Sequence, residues 1–183
     1  MPRRPSSEER TLASGRHLRL MVRHGWEFVA RCNASGIVVI LGLTGHGGLV
    51  LVTQWREPAG ARVVELPAGL AGDLPGQEAE DLAAAAKREL EEETGFAAAF
   101  LEPVLSGPPS PGISSETVTF FRARGLVRIG RGGGGPGEHI RTHVVPLGRL
   151  EEWLHRVQAQ GILVDPKVLA GAWLVRNDKG ETA

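Results

Sequence analysis

The sequence predicts an α/β protein, with a mixed central sheet, helices on both faces and an N-terminal β-hairpin. Three observations predict it. Short β-rich runs, some alternating and some apolar throughout, recur between residues 17 and 146. A stretch rich in Ala, Leu, Lys, Arg and Glu, with no Pro or Gly from Glu78 to Thr94, divides them. Two more helical stretches close the chain, the second opened by Asp165-Pro166.

In chain order, residues 1–14 are polar and charged and are expected to be a disordered tail. A single domain is expected over 15–178, long enough at 42% apolar content to build one packed core. It begins with a hairpin within 15–34: His17 to Arg23 alternates, Gly25 turns, and Trp26 to Arg31 returns. Gly36 to Leu43 and Leu49 to Trp55 flank Gly45-His-Gly-Gly48 and read as a second, central hairpin. Arg62 to Leu66 is a short strand leading into a turn-rich loop, Glu65-Leu-Pro-Ala-Gly69, and the acidic helix follows, with Gly95 at its C-terminal stop. Ala97 to Leu105 and Glu116 to Arg124 are strands joined by an irregular Pro- and Gly-rich connector. Gly130 to Gly137 reads as a flexible loop, since a phosphate-cradling loop would end in Lys-Ser/Thr. Ile140 to Pro146 is a strand, Leu147 to Gln160 an amphipathic helix, and a last helix runs from Pro166 to about Val175.

Charge and cysteine use narrow the partners. Lys+Arg and Asp+Glu are equal at 21 each, so no global field favours nucleic acid or an anionic membrane. Cys32 is the only cysteine, which excludes an intrachain disulfide and a thiolate zinc site and suits a reducing cytoplasm. No apolar segment follows Arg3 and Arg4, and the run near Ile37 to Leu43 is too short to span a bilayer. A cytoplasmic protein with a small-molecule partner is expected.

The helix carries the chemistry. Advancing about 100° per residue places Ala86, Glu89, Leu90 and Glu93 in the sector of Leu82, Glu92 at its flank, and Lys87, Glu91 and Thr94 opposite. Glu89 and Glu93 therefore point at the protein body. Inward carboxylates must be paired, protonated or bound to metal. Side chains four apart on a helix lie one above the other, so these two, with Glu92, can converge on a hard cation such as Mg²⁺. The other meaning of three adjacent glutamates is a solvated acidic patch.

Arg88-Glu-Leu-Glu-Glu-Glu-Thr-Gly-Phe96, with Glu80 eight residues ahead of Arg88, resembles the second half of the Nudix box, G-x5-E-x7-R-E-U-x-E-E-x-G-U with U aliphatic or aromatic. The opening Gly of that box falls at Leu74. Gly69 in Pro-Ala-Gly matches by context, which makes the loop from Leu70 to Ala79 five residues longer than the pattern. Gln54-Trp-Arg-Glu-Pro58, Glu65-Leu-Pro-Ala-Gly-Leu70, Ser110-Pro-Gly-Ile-Ser-Ser-Glu116, Glu138-His-Ile-Arg-Thr-His-Val-Val-Pro146 and Gly161-Ile-Leu-Val-Asp-Pro-Lys167, in that order, are similar to the ADP-ribose pyrophosphatase-like branch.

The resemblance implies a Nudix-type α/β/α sandwich, and it implies roles. Glu89, Glu92, Glu93 and the carbonyl of Ala68 would hold Mg²⁺ or Mn²⁺. Arg88 and Glu80 would orient the carboxylates. Arg56 would meet the substrate diphosphate, Trp26 and Trp55 would stack on a base, and Ser110, Ser114 and Glu116 would line the site. Glu138, on the loop before a strand, would be the base that takes a proton from water, with Glu92 and Glu116 as the other candidates. Members of the branch are commonly homodimers that exchange N-terminal strands. For each position a structural role is the alternative: an ion pair for Arg88 and Glu80, core packing for the tryptophans, a turn for the serines.

The implied reaction is hydrolysis of a nucleoside diphosphate-linked compound, ADP-ribose or a related nucleotide sugar, to a nucleoside monophosphate and a sugar phosphate. One rival is a non-catalytic nucleotide sensor on the same scaffold, disfavoured by the full set of box carboxylates and the lack of an output segment. Another keeps the chemistry and takes FAD, a dinucleotide or coenzyme A. The Ser-Gln-Pro-Trp-Pro-Phe-Pro array that marks NADH pyrophosphatases is absent from the sequence.

Overall fold

The computed structural model describes residues 9–135 and 137–177. In chain order they form β1 (Arg10–Ser14), β2 (Leu18–Arg23), β3 (Trp26–Arg31), β4 (Gly36–Gly42), β5 (Gly48–Arg56), β6 (Ala61–Glu65), β7 (Ala68–Ala71), α1 (Leu82–Thr94), β8 (Phe96–Ala97), β9 (Phe100–Gly107), β10 (Val118–Arg124), β11 (Val127–Arg128), β12 (Arg141–Pro146), α2 (Leu150–Gln158), β13 (Leu163–Val164) and α3 (Pro166–Arg176).

The N-terminal hairpin is the β2–β3 pair, widened by a third strand into the sheet β1-β2-β3. The expected tail is thereby corrected. Arg10–Ser14 lies antiparallel to β2 with Thr11 opposite Met21, and Glu9 ion-pairs with Arg23. A free strand edge offers unpaired backbone groups, and this segment satisfies them despite its polar composition. Residues 1–8 of that tail, and Asp178 at the end of the expected domain, lie outside the described residues.

The central hairpin is corrected too. β4 and β5 touch at one bridge, Leu43 to Leu49, and then part into separate sheets, ordered β7-β4-β10-β9 and β12-β5-β6-β13. Both sheets are mixed, because β4 runs parallel to β10 and β6 parallel to β13. The reason is burial on both faces. Val38 to Leu41 and Leu49 to Val52 are all at 0% exposure, which suits strands central to a covered sheet and not a hairpin with one wet face.

Helices cover this mixed layer on both sides, as an α/β/α sandwich requires. Val38, Ile40, Val50, Phe121 and Ala123 meet Ala85, Ala86 and Leu90 of α1. Val39, Leu41, Leu49, Leu51 and Val64 meet Leu150, Leu154 and Val157 of α2 with Val168 and Ala172 of α3. Side chains that alternate along a strand are thus sorted between the two helical layers.

The loop expected over Glu65 to Gly69 is half strand. Ala68–Ala71 pairs antiparallel with β4, Gly69 opposite Val38, so α1 is laid against regular backbone. α1 is capped by the Asp81 side chain, which accepts from the Ala83 and Ala84 amides, and it stops at Gly95 with φ of 72°.

The glycine run is more than a flexible tether. The Gly133 amide donates to the Glu93 carbonyl at 2.9 Å and the Gly134 amide to the Glu92 carbonyl at 3.0 Å, satisfying orphan carbonyls at the end of α1. A Cβ on Gly132, whose φ is +68°, would lie 2.4 Å from the Thr94 carbonyl carbon. This cover explains Thr94, which helical projection puts on the solvent side and which is 0% exposed. Gly132→Ala is expected to lower unfolding free energy by about 1–3 kcal/mol in urea titrations. Gly45→Ala, in open space, should stay within about 0.5 kcal/mol. Equal effects of the two would refute the packed loop.

Candidate active site

α1 brings its inner carboxylates onto the backbone of β7. Glu93 is only 5% exposed, and its Oε2 accepts the Ala68 amide at 3.1 Å. Burial pushes its carboxyl up to about 8, with Glu89 and Glu138 adding to the rise and the Ala68 amide and Arg56 opposing it. Glu89 lies directly over Gly69, where a Cβ would come 1.9 Å from its Cδ. Burial raises Glu89 to about 7, against the pull of Arg88. Glu92 stands at the flank with its side chain 50% exposed.

Arg88 organises this acidic face. Its Nε and Nη2 donate to Glu80 at 3.0 and 3.1 Å, its Nη1 to Glu89 at 2.8 Å and to Glu92 at 3.4 Å, and its Nη2 also to the Leu70 carbonyl at 2.9 Å. Glu80 in turn accepts the Gly72 amide at 3.2 Å, so the lengthened loop is tied to the helix through one guanidinium. Asp73 of that loop stands 3.7 Å from the same group. The Arg88 hydrogen bonds hold Glu80 below the usual carboxylate range.

A cavity of about 390 Å³ opens beside Ala68 and Gly69 and contains Arg56 and Glu116 in its walls. Arg56 is held by Glu65, Nε to Oε1 at 2.9 Å and Nη2 to Oε2 at 2.5 Å, and Gln54 completes the Glu65 contacts at 3.2 Å. That hydrogen bonding keeps the guanidinium above its ordinary pKa. Glu116 accepts Arg31 Nε at 2.8 Å and the Ser114 hydroxyl at 3.3 Å.

Other expected residues lie outside that cavity wall. Trp55, 52% exposed, alternates onto the sheet face opposite Gln54 and Arg56. Trp26, 64% exposed, donates its Nε1 to the Gly112 carbonyl at 3.2 Å and so reaches the connector. Ser110 closes a turn in that connector, its carbonyl accepting from the Ile113 and Ser114 amides. Glu138 is exposed and folded on its own loop, its Oε2 accepting the Gly135 amide at 2.8 Å. Glu65 and Arg31 join the cavity wall without having been expected there. A carboxylate within the apolar run Val-Val-Glu-Leu was the available signal for the first.

Among the described residues, no three His, Cys, Asp or Glu side chains already form a metal cage. The donor chemistry nevertheless fits a hard divalent cation. Glu89, partly buried and raised to about 7, and Glu93, buried and raised to about 8, lie in each other's field beside oxygen-bearing backbone.

An acidic helix laid on a Pro-Ala-Gly strand inside an α/β/α sandwich defines the class. The NUDIX domain model matches residues 33–165, and the chain belongs to this family. It is 36% identical over 91 residues to the "Methanol dehydrogenase activator" of Bacillus methanolicus and 40% identical over 96 residues to the "ADP-ribose pyrophosphatase" of Mycobacterium tuberculosis (strain ATCC 25618 / H37Rv). These matches take in 50% and 52% of this chain but 46% and 44% of the relatives, so the chain spans about half the length of these curated relatives. A crystal structure of an ADP compounds hydrolase shares the fold with a TM-score of 0.67 at 21% identity, covering 92% of this chain and 90% of that one.

The buried Glu93 carboxyl gives a pH signature. With a folded value of about 8 against an ordinary 4.5, the contribution of Glu93 is fully present below about pH 4.5 and is lost as pH rises through about 8. In chelator, the wild-type melting temperature should fall relative to that of Glu93→Gln between about pH 5 and about pH 8.5. Parallel curves would mean that Glu93 titrates as an exposed carboxylate.

Proposed function

We propose that this chain is a metal-dependent hydrolase of nucleoside diphosphate-linked compounds, with ADP-ribose or a related nucleotide sugar as substrate. The supporting observation is the pair of proton-retaining carboxylates, buried Glu93 and partly buried Glu89, set against Ala68 and Gly69 beside a cavity that contains Arg56. The matched relative named for ADP-ribose adds support.

Glu89 and Glu93, with Glu92 and the Ala68 carbonyl, would hold Mg²⁺ or Mn²⁺. Such an ion supplies neutralisation of diphosphate charge and a lowered pKa for water. The remaining steps belong to the chain. Arg88 fixes the Glu89 carboxylate, and the Ala68 amide fixes Glu93. Arg56, its fork braced by Glu65, presents positive charge to phosphate oxygens. The oxygen of water bonds to one phosphorus, the bridging P–O bond breaks, and the proton lost by water goes to a carboxylate. We assign that carboxylate to Glu138, which stands near enough to Glu93 to add to its rise and would release the Gly135 amide to take the proton. The products are AMP, or another nucleoside monophosphate, and a sugar phosphate.

The N-terminal sheet supports a homodimer. Leu18 and Leu20 are exposed on one face of β2, apolar side chains that a partner subunit would cover, and Trp26 is exposed on the other face of the sheet. The exchange of this sheet would bring Trp26 to the partner's site.

Incubating the protein with Mg²⁺ and a nucleotide-sugar panel should release AMP and ribose 5-phosphate from ADP-ribose. No metal-dependent turnover of any diphosphate would overturn the proposal. Glu138→Gln should lower kcat by about 10²–10⁴-fold with KM nearly unchanged, since proton abstraction belongs to the transition state. A change confined to KM would remove Glu138 from the base role. Light scattering should give a dimer at micromolar concentration, and an active monomer would refute the assembly.

A further inference from the structure

α3 opens at the same cavity as Arg56. Asp165 and Lys167 are part of its wall, together with Arg31 and Glu116. Their position is fixed by the sheet: β13 runs parallel to β6 with Val164 beside Val64, and the Asp165 amide donates to the Val64 carbonyl at 2.9 Å. Asp165 thus comes to lie next to Glu65 in space, near enough to contribute to the field on Arg56. Its carboxylate has two partners. Oδ1 caps α3 by accepting the Lys167 amide at 2.8 Å, and Oδ2 accepts the Lys167 ammonium.

Helix capping accounts for Asp165 and leaves Lys167 unexplained. A cation in the first turn of a helix opposes the helix dipole, so the capping geometry alone would favour another residue there. Its place becomes intelligible from the cavity. Arg31–Glu116, Arg56–Glu65 and Lys167–Asp165 are three cation–carboxylate pairs around a wall of Ile37, Val39 and Val118. With the Lys167 ammonium matched by Asp165, this end of the cavity suits a neutral, hydrogen-bonding group, while Arg56 remains the phosphate-facing cation. A neighbouring ammonium and carboxylate offer one donor and one acceptor, the complement of a vicinal diol.

Resting on the hydrolase reading above, we infer that Lys167, held by Asp165, is a specificity-determining residue that contacts a vicinal diol of the substrate's sugar. That diol belongs either to the ribose of the nucleoside or to the sugar on the other phosphate. Asp165 and Lys167 then form a unit in which the carboxylate both starts α3 and orients the ammonium.

The test is equilibrium binding by calorimetry in chelator, which is independent of turnover, using AMP and ribose 5-phosphate as separate probes. Lys167→Met keeps the aliphatic stem, and Asp165→Asn keeps the helix cap. Both variants should weaken one of the two probes about tenfold, leave the other unchanged and keep the wild-type melting temperature. Lys167→Arg should restore most of the loss. The probe affected identifies the sugar. Unchanged binding of both probes in both variants, equal loss of both, or no binding of either probe to the wild type would overturn the role of Lys167. A failure of metal-dependent hydrolysis would instead count against the proposed reaction, and the calorimetry would still decide whether the pair reads a diol.

Discussion

The close approach of α1 to the backbone of β7 is the contact on which the site depends. Glu89 occupies the volume that a side chain at position 69 would take, and Glu93 accepts the Ala68 amide from the same strand. For that approach to hold, β7 must be regular backbone, and its pairing with β4 makes it so. α1 must also be pressed down along its length, which Ala85, Ala86 and Leu90 achieve by meeting Val38 and Ile40. Small alanines on the inner face let the helix sit low, and the carboxylates are carried into a poorly solvated place that they would not otherwise enter.

Several features of the molecule answer the electrostatic consequence of that burial. Arg88 faces the acidic surface with its whole fork and joins Glu80, Glu89 and the Leu70 carbonyl. Gly133 and Gly134 satisfy the carbonyls at the end of α1, where Glu92 and Glu93 lie. What they do not do is return Glu89 and Glu93 to ordinary acidity, since both stay raised, to about 7 and about 8. Carboxylates kept partly protonated at neutral pH are unfavourable as structure alone and useful where a cation is to displace the protons.

How much was legible in the sequence follows from the range of each signal. α1, its C-terminal stop at Gly95 and the inward set of Glu89 and Glu93 came from local propensity and helical period, which operate within a few turns, whereas the Asp81 cap appeared only in the structure. The same projection misplaced Thr94, because the covering Gly132 comes from a distant segment that no period reveals. Gly36 to Leu43 and Leu49 to Trp55 were recognisable as strands, but not as strands of different sheets, since an apolar run does not record its neighbours. The departure at Leu74 was readable, and Gly69 proved to be the glycine under Glu89. Glu65 and Arg31 were missed as site walls because their partners, Arg56 and Glu116, are joined to them only by tertiary pairing.

If Glu89 and Glu93 give up protons to a divalent cation, calorimetric titration of Mn²⁺ into the protein at pH 7, in buffers of different ionisation enthalpy, will show it. With carboxyls raised to about 7 and about 8, binding should release on the order of one proton per ion at pH 7 and almost none near pH 9. Tight Mn²⁺ binding without proton release at pH 7, or binding undiminished by Glu93→Gln, would contradict the account.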